Sequence, residues 1–375
     1  ALFLEKKLID KGFYNLYRNL IMPASKVLQD AETNGLPIDL SFNDFLQDKY
    51  SKLIQETNDK LRSVRQIKRY QKYSLEQRKQ VYIDKLTQEI EELSGDPKKA
   101  KSIKNREDKI SRILAGEYKT NDEKKLIEPV NFNSTKQMVD LLYISPKGFK
   151  FPIVEYTKDK RNKPTDNPST SEDTLIKISD QDKTGFIKSL LDLRGLDKMN
   201  STYIVGLREL VQSDNKVHPT FLIHGTTSGR LSSRNPNGQN IPKVMVNPDI
   251  KKQFIPPSGK LFLTYDYSQA ELRILAHLAN EETMLEWFRT GKDIHLASAC
   301  KKYHEDYDKI IKIYEDEQHE LYPLWKKRRK QAKTINFGIV YEQSAHKLAE
   351  SLSTPEEKVE DSEGQQFLDE YFTTF

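Results

Sequence analysis

The chain has 375 residues, of which 36% are hydrophobic and 31% are charged, and its formal net charge is +5. That length allows two or three domains, and 16 Phe, 18 Tyr and 2 Trp residues are enough to build their cores. No apolar run of about 18 residues or more is present, so no membrane span is predicted. The single cysteine, Cys300, excludes an internal disulfide and suits a reducing compartment, so we expect a cytoplasmic protein.

The first 210 residues have mostly helical spacing of apolar side chains. A helix is predicted within residues 8–31, and Asn-Gly and Pro predict a turn at 34–37. Residues 43–127 are charged and contain few Gly or Pro, which predicts paired long helices; a solvent-exposed coiled-coil spacer fits this composition nearly as well. Residues 146–172 are rich in Pro, Lys, Asp and Ser and are predicted to be a loop. Helical spacing returns over 173–210.

Cationic runs recur at residues 98–109, 158–163 and 326–333. Such patches are able to hold phosphates. For the run at 98–109, a solvated helix face is the favoured interpretation.

A polar loop at residues 225–242 follows a predicted strand at 220–224. The loop is dense in hydrogen-bond donors, which are Arg230, Asn237, Gln239 and Asn240. Every base pair presents an N3 or O2 acceptor in the minor groove, so such donors are able to sense correct pairing without reading sequence. By composition alone, an ordinary Gly/Ser/Asn/Pro loop is the favoured interpretation.

The stretch at residues 261–279 is predicted to be a short buried strand over 261–265 followed by a helix. Asp266 lies between them, where its side chain points into open space, as a metal ligand requires. The alternative is that Asp266 only caps the helix, because Asp is a favoured N-cap residue.

A basic segment at 325–341 has helical spacing. Arg329, Lys333, Phe337 and Tyr341 are four residues apart and share one face of a helix. Cations in the N-terminal half of a helix are disfavoured by its dipole and by their mutual repulsion, so the cluster makes sense if it faces an anion. A nucleoside triphosphate fits this face, with the Phe337 and Tyr341 rings beside its base and sugar. The alternative is a basic helix whose charged face is solvated.

Three motifs in this order resemble the family A (bacterial DNA polymerase I-like) DNA polymerases. They are Thr227-Ser-Gly-Arg-Leu-Ser-Ser with Pro236-Asn-Gly-Gln-Asn-Ile-Pro, Asp266-Tyr-Ser-Gln-Ala-Glu-Leu-Arg, and Arg329 through Lys333-Thr-Ile-Asn-Phe-Gly-Ile-Val-Tyr341. Asp293-Ile-His295 and Lys198-Met-Asn-Ser-Thr-Tyr203 also fit. The resemblance covers most of residues 1–40 and 130–375, and covers 41–129 only weakly.

The resemblance implies an α+β right-hand polymerase fold, with a helical thumb and fingers around an antiparallel palm sheet, incomplete at the C-terminus. Residues 1–40 are implied to be the connector from a missing exonuclease domain and the start of the palm. Residues 41–200 are implied to be the thumb, 201–282 the first part of the palm, and 283–375 the first part of the fingers, including the nucleotide-binding helix.

The resemblance also implies a chemistry. Asp266 resembles the first of two catalytic carboxylates that hold two Mg²⁺ ions, with the Tyr267 carbonyl as a further ligand. The ions would activate the primer 3′-hydroxyl and stabilise the leaving pyrophosphate. Arg329 and Lys333 resemble the triphosphate clamp, with His295 as a third contact.

Further residues are implied to select the incoming dNTP. Glu271 resembles a steric gate against the ribose 2′-position. Phe337 resembles the ring beside the sugar, where the absence of a hydroxyl disfavours dideoxynucleotides. Tyr341 resembles the residue that stacks against the template base or moves aside for it. The implied nucleotide-binding residues are in full Gln269, Glu271, His295, Arg329, Lys333, Phe337 and Tyr341.

Primer–template DNA is the implied macromolecular partner. The basic helices of 41–130 resemble the thumb that holds the duplex. The implied DNA contacts are Arg230, Asn237, Gln239, Asn240, Lys198, Ser201 and Thr202.

The sequence departs from the family in several places. The second catalytic Asp belongs to a later His-Asp-Glu motif, and the chain stops before it. We therefore expect either a cropped piece or one subunit of a split enzyme completed by a second polypeptide, inactive as the isolated chain. Glu342 stands where the family usually has Gly, and the stretch 303–324 is longer than in compact bacterial members.

Two other functions remain as alternatives. One is a non-catalytic DNA-binding protein derived from a polymerase, which has no need of a sugar gate. The other is a single-subunit RNA polymerase, which Glu271 disfavours. Origin from a virus, with the host cytoplasm as location, and origin from an organelle both stay open, as does a role in replication or in repair.

Overall fold

The computed structural model describes residues 2–242, 247–353 and 359–374. The chain divides into two compact units, Ala1–Phe262 and Leu263–Phe375. The division falls inside the segment 201–282 that is expected to form the first part of the palm. Helices dominate both units, and small antiparallel sheets lie in the first.

The described helices of the first unit are α1 (Leu2–Asp10), α2 (Tyr14–Leu16), α3 (Met22–Asn34), α4 (Leu40–Ser63), α5 (Arg65–Leu93), α6 (Ala100–Leu114), α7 (Asn121–Lys125), α8 (Thr135–Val139), α9 (Glu172–Ile178), α10 (Phe186–Lys198), α11 (Gly206–Arg208) and α12 (Pro248–Lys252). Among the residues described in this unit, three π-helical turns continue helices; they are Tyr17–Ile21, Asp140–Ile144 and Met199–Val205. The charged segment 43–127 does form paired long helices, because α5 packs on α6 and Arg106 bonds Glu89 at 2.7 Å across them.

The described part of the first unit contains three antiparallel strand pairs. They are β1 (Leu36–Pro37) with β4 (Lys216–Val217), β2 (Tyr156–Lys158) with β3 (Pro164–Pro168), and β5 (Thr220–Leu222) with β6 (Ser232–Arg234).

The hairpin of β2 and β3 corrects the prediction of a loop at 146–172. Its Pro, Asp, Asn and Lys residues are depleted in strands, so composition gave no signal for it. Cross-strand contacts such as the 2.5 Å hydroxyl pair of Thr157 and Thr165 hold it together. The predicted strand at 220–224 is present but ends at Leu222.

The prediction of a buried strand at 261–265 is wrong. Leu261 is 84% exposed, Leu263 75% and Tyr265 87%, and among the described residues none pairs with this segment. A strand needs a neighbouring backbone to satisfy its hydrogen-bonding groups, and an apolar sequence by itself does not provide one.

The described residues of the first unit form two cores. One joins the end of α4 and the start of α5 to α8, α9 and α10; its members include Leu61, Ile67, Met138, Leu175, Phe186 and Leu190. The other surrounds the π-helical turn Met199–Val205; its members include Ile38, Leu46, Tyr203, Ile204, Val217 and Ile250. The second core therefore fixes the position of that turn beside β4.

The described helices of the second unit are α13 (Ala270–Ala279), α14 (Glu282–Arg289), α15 (Ile294–Lys302), α16 (Tyr307–Glu315), α17 (Tyr322–Val340), α18 (Ala345–Leu352) and α19 (Asp361–Thr374). Helix α17 contributes Ile335 to a core with α13, α14, α18 and α19. It contributes Trp325 and Ala332 to another core with α15 and α16. Packing on both sides fixes its orientation. None of the helices in the described residues is long and apolar enough to cross a membrane.

Candidate functional site

Helix α17 carries the basic face that the spacing predicts. Pro323 lies in its first turn, where a missing backbone N–H is tolerated. Trp325 and Ile335 are buried, whereas Lys333 is exposed and its Nζ lies 5.9 Å from the centre of the Phe337 ring. Tyr341 follows directly after the helix as its C-cap residue. Burial of the opposite face leaves these cations and rings to one side of α17.

Arg329 is paired with an acid that the sequence reasoning did not assign to the site. Its Nε donates to Asp293 Oδ1 at 3.2 Å and its Nη2 donates to Oδ2 at 2.6 Å. Asp293 is the N-cap of α15 and also accepts the Leu296 amide at 2.8 Å. Burial raises the pKa of Asp293, but the bonds from Arg329 and Leu296 outweigh it and hold the pKa below its usual value. The sequence signals for Asp293 were the capping position before α15 and its place in the segment Asp293-Ile-His295, which fits the family resemblance.

His295 is buried beside this ion pair, with 3% of its surface exposed. Burial lowers its pKa to about 4; Asp293 opposes the shift, and Arg329 and Lys333 add to it. The ring is therefore neutral at pH 7. The Asn336 amide nitrogen lies 3.1 Å from Nδ1, so Nδ1 accepts a hydrogen bond and the proton is on Nε2. His295 thus retains one neutral N–H donor.

Glu271 and Tyr341 meet across two helices. Glu271 is in the first turn of α13, where the helix dipole favours a carboxylate. The Tyr341 hydroxyl lies 3.0 Å from Glu271 Oε1 and 2.9 Å from Oε2. The family resemblance implied that both residues select the nucleotide, but no sequence pattern predicted this contact.

Asp266 lies two residues before the turn 268–269 that leads into α13, and it is exposed, as is Tyr267 with 88% of its surface. The cap of α13 is Gln269, in a left-handed conformation with φ of 54°, so Asp266 does not cap the helix. Arg273 anchors the turn: its Nε donates to the Ser268 carbonyl at 2.9 Å. The described residues contain no cluster of three His, Cys, Asp or Glu side chains that could hold a metal ion.

The loop at 225–242 is ordered by its own polar groups. Ser233 in β6 is buried; its Oγ donates to Asn237 Oδ1 at 3.0 Å and accepts the Gln239 amide at 3.3 Å. The Arg230 side chain is exposed on the connection between β5 and β6, and the Arg230 carbonyl accepts the Thr226 hydroxyl at 2.7 Å. Arg230 therefore lies within the β5–β6 hairpin, and Asn237, Gln239 and Asn240 lie in the turn that follows β6.

The π-helical turn Met199–Val205 lies beside that hairpin. Tyr203, which is mostly buried, donates its hydroxyl to the Asn240 carbonyl at 2.6 Å. Lys198, Ser201 and Thr202 are exposed around it. The structure thus brings together the two sets of predicted DNA contacts, and Tyr203 is the joining residue that the sequence reasoning missed.

Helix α5 carries a basic stripe on one face. Its residues follow the spacing i, i+3, i+4 and i+7, and they are Arg65, Lys68, Arg69 and Lys72. All four are exposed, and none forms an ion pair with any acid in the described part of the chain. Like charges at this spacing repel one another, so the α5 basic stripe is suited to an anionic partner.

Comparison with known proteins decides the family. The profile of DNA polymerase family A matches residues 100–375, well over half of the chain. The chain belongs to DNA polymerase family A.

Curated relatives of this family A chain come from phage and bacteria. The DNA polymerase of Bacillus phage SP01 is 29% identical over 369 residues, which are 96% of this chain and 36% of the relative. DNA polymerase I of Bacillus subtilis (strain 168) is 33% identical over 299 residues, 79% of this chain and 28% of the relative. DNA polymerase I of Helicobacter pylori (strain J99) is 37% identical over 251 residues, 65% of this chain and 23% of the relative. The family A chain thus spans about a quarter to a third of these relatives.

A solved structure confirms the fold. It is the POL domain of Pol1 from M. smegmatis in complex with DNA primer-template and dNTP, with a TM-score of 0.68 and 24% sequence identity. The similarity covers 99% of this family A chain and 50% of that domain. The α+β polymerase fold that the motifs implied is therefore confirmed.

Proposed function

We propose that this family A chain supplies the nucleotide clamp and part of the primer–template surface of a template-directed DNA polymerase. The enzyme would add deoxynucleotides to a primer 3′-hydroxyl by two-Mg²⁺ phosphoryl transfer. The observation that carries the proposal is the face of α17 that holds Arg329, Lys333 and Phe337. Tyr341 follows at the end of this helix and is hydrogen-bonded to Glu271.

In this proposal the triphosphate lies along the N-terminal part of that face. Lys333 contributes an exposed ammonium and Arg329 an oriented guanidinium. Hydrogen bonds from such charged groups to phosphate are stronger than those between neutral groups. His295, neutral with its proton on Nε2, would donate one further hydrogen bond. Farther along, Phe337 would contact the sugar, and Glu271 would crowd its 2′-position while Gln269 lines the turn.

Asp266 and the Tyr267 carbonyl fit a Mg²⁺ ion that arrives with its substrate. Mg²⁺ is usually held by one or two carboxylates together with substrate phosphates and water, not by a closed protein cage. The exposed carboxylate of Asp266, just before the turn held by Arg273, meets that requirement. Mg²⁺ at this carboxylate would lower the pKa of the primer 3′-hydroxyl. Two-metal chemistry needs a second carboxylate, and we propose that a further segment or a second polypeptide provides it.

Primer–template DNA is the proposed macromolecular partner. The donors of residues 198–202 and of the 225–242 loop would follow the minor groove near the primer end. The α5 basic stripe would contact phosphates, with residues 41–200 acting as thumb, 201–282 as palm, 283–375 as fingers, and 1–40 as connector. The M. smegmatis relative in complex with primer-template and dNTP supports this choice of partners.

Primer extension tests the proposal directly. The chain would be assayed alone and with a polypeptide that carries the remaining palm carboxylate, with Mg²⁺ and each dNTP. We expect no extension alone, extension with the added polypeptide, and loss of extension with Asp266→Ala. A complex in which Asp266→Ala extends primers at the wild-type rate would contradict the proposal. DNA binding without any dNTP binding would instead favour a non-catalytic DNA-binding protein.

A further inference from the structure

Helix α16 contacts the nucleotide clamp through two tyrosines that no motif includes. Tyr307, its first residue, accepts the backbone N–H of Asp293 on its hydroxyl oxygen at 2.9 Å. Tyr314, two turns later, has its ring centre 5.5 Å from the Arg329 guanidinium carbon. One short helix therefore contacts both members of the Asp293–Arg329 ion pair.

The base from which these tyrosines reach is firmly packed. Ile310 and Ile313 of α16 are buried in the core that includes Leu296 and Trp325. The Tyr314 ring also packs on Tyr322, at 5.7 Å between ring centres. Because this core fixes α16, it also fixes where Tyr307 and Tyr314 lie relative to the Asp293–Arg329 ion pair.

Both the side chain and the backbone of Asp293 make hydrogen bonds besides those to Arg329. Its carboxylate caps α15 through the Leu296 amide, and its own amide is bonded to Tyr307. Turning the Asp293 side chain away from Arg329 would break the α15 cap, and the Tyr307 bond holds the Asp293 backbone in place. The pair is therefore a fixed support and not a latch that opens for the nucleotide.

Asp293 occupies only part of the Arg329 guanidinium. Asp293 uses the Nε and Nη2 donors, and Nη1 is not used by this pair. A free arginine side chain loses considerable rotamer entropy when a ligand fixes it. An arginine that is already oriented avoids that loss when the phosphate binds.

We propose that α16 is a positioning element for nucleotide binding. Tyr307 fixes Asp293, Asp293 fixes the Arg329 guanidinium, and Tyr314 supports its face, so that Arg329 meets a triphosphate in one preset orientation. The inference rests on the proposed function, because it names what orients the clamp of that same site.

Equilibrium binding of Mg²⁺-dNTP and of the matching deoxynucleoside monophosphate to this chain tests the inference. Tyr307→Phe keeps the ring and removes the hydroxyl; we expect it to weaken triphosphate binding by about 2- to 10-fold, the range that one hydrogen bond supports. Monophosphate binding should change much less, whereas a general loss of folding would weaken both. Tyr314→Leu should act in the same direction. Tyr322→Phe is the matched control, because its hydroxyl donates to Glu317 and not to the pair.

A second variant separates positioning from competition. Asp293→Asn keeps an N-cap side chain and removes the charge. If Asp293 positions Arg329, Asp293→Asn should bind triphosphate more weakly. Tighter binding would show that Asp293 competes with the phosphate for Arg329, and it would overturn the inference. If the wild-type chain prefers triphosphate over monophosphate and Tyr307→Phe binds triphosphate equally well, the inference is overturned but the proposed function is not. A wild-type chain that binds no triphosphate would overturn the proposed function together with it.

Discussion

The Tyr341 hydroxyl lies within hydrogen-bonding distance of both carboxylate oxygens of Glu271, at 3.0 and 2.9 Å. The contact joins the end of α17 to the first turn of α13. It also orients the carboxylate that is proposed to exclude a ribose 2′-hydroxyl. A gate held by a hydrogen bond should be more selective than one that rotates freely, because a fixed side chain cannot move aside at low cost.

Removing either partner should therefore relax sugar selection. In a polymerase that contains this chain, Glu271→Ala should raise ribonucleotide use by roughly 10-fold or more, and Tyr341→Phe by about 2- to 10-fold, as expected for one hydrogen bond. The double variant should resemble Glu271→Ala, because the two residues act through one contact. Primer extension with ribo- and deoxynucleotides measures this, and deoxynucleotide incorporation is the internal control. Unaltered selectivity in Glu271→Ala would remove the assigned role.

Stability should fall between pH 6.5 and pH 4 because of His295. Its folded pKa is lowered to about 4 by burial, whereas an unfolded histidine titrates near 6.5. In this window the unfolded state binds a proton that the folded state does not, so the stabilisation is present above pH 6.5 and is lost as pH falls. Between pH 7 and pH 5 the expected loss is about 2 kcal/mol.

Denaturant unfolding at the two pH values measures that loss. His295→Gln should flatten the slope over this window, because it removes the titrating ring. His224→Gln is the matched control, since His224 is exposed. An NMR titration that places the pKa of His295 near 6.5 would contradict the prediction.

DNA binding should depend on salt through the α5 basic stripe. Each phosphate contact contributes about −0.9 to the slope of log K against log salt concentration. Replacing the stripe residues with Ala should therefore make the slope less negative by roughly 3 to 4. These residues are Arg65, Lys68, Arg69 and Lys72.

Four exposed lysines of α6 and the turn before it provide a control with the same change in charge. They are Lys98, Lys99, Lys101 and Lys104. The run at 98–109 is expected to be solvated, so their replacement should change the slope by less than about 1. Equal slopes for the two quadruple variants would mean that net charge, and not the stripe, sets the affinity.

Glu123 should be the most sensitive carboxylate of the first unit among those described. It is fully buried and accepts the Lys119 and Thr120 amides at 2.7 and 2.9 Å. Arg112 contacts its other oxygen at 3.3 Å. Glu123→Ala leaves a partly buried guanidinium and two amides without their acceptor, so a loss of about 3 kcal/mol is expected.

The midpoint of urea unfolding measures the effect of Glu123→Ala. Asp122→Ala is the neighbouring control: Asp122 is 75% exposed and its ion pair with Lys125 should contribute less than about 1 kcal/mol. A small shift for Glu123→Ala, similar to that of Asp122→Ala, would show that the first unit does not depend on this capping site.

Periodicity and motif order were sufficient for several features of this protein. The spacing of Arg329 and Lys333 predicted one face of one helix, because a residue's position around an α-helix depends only on its number along the chain. The low Gly and Pro content of 43–127 predicted long helices because both residue types are unfavourable inside a helix. Three motifs in order were also enough to indicate the polymerase family, which the family profile then confirmed.

Only the tertiary structure decided which side chains meet. Asp293 and Arg329 are 36 residues apart and Glu271 and Tyr341 are 70 apart, so no local pattern relates them. The hairpin of β2 and β3 and the unpaired segment at 261–265 show the same limit for strands. A helix satisfies its backbone groups within its own sequence, but a strand or an ion pair exists only where another part of the chain supplies the partner.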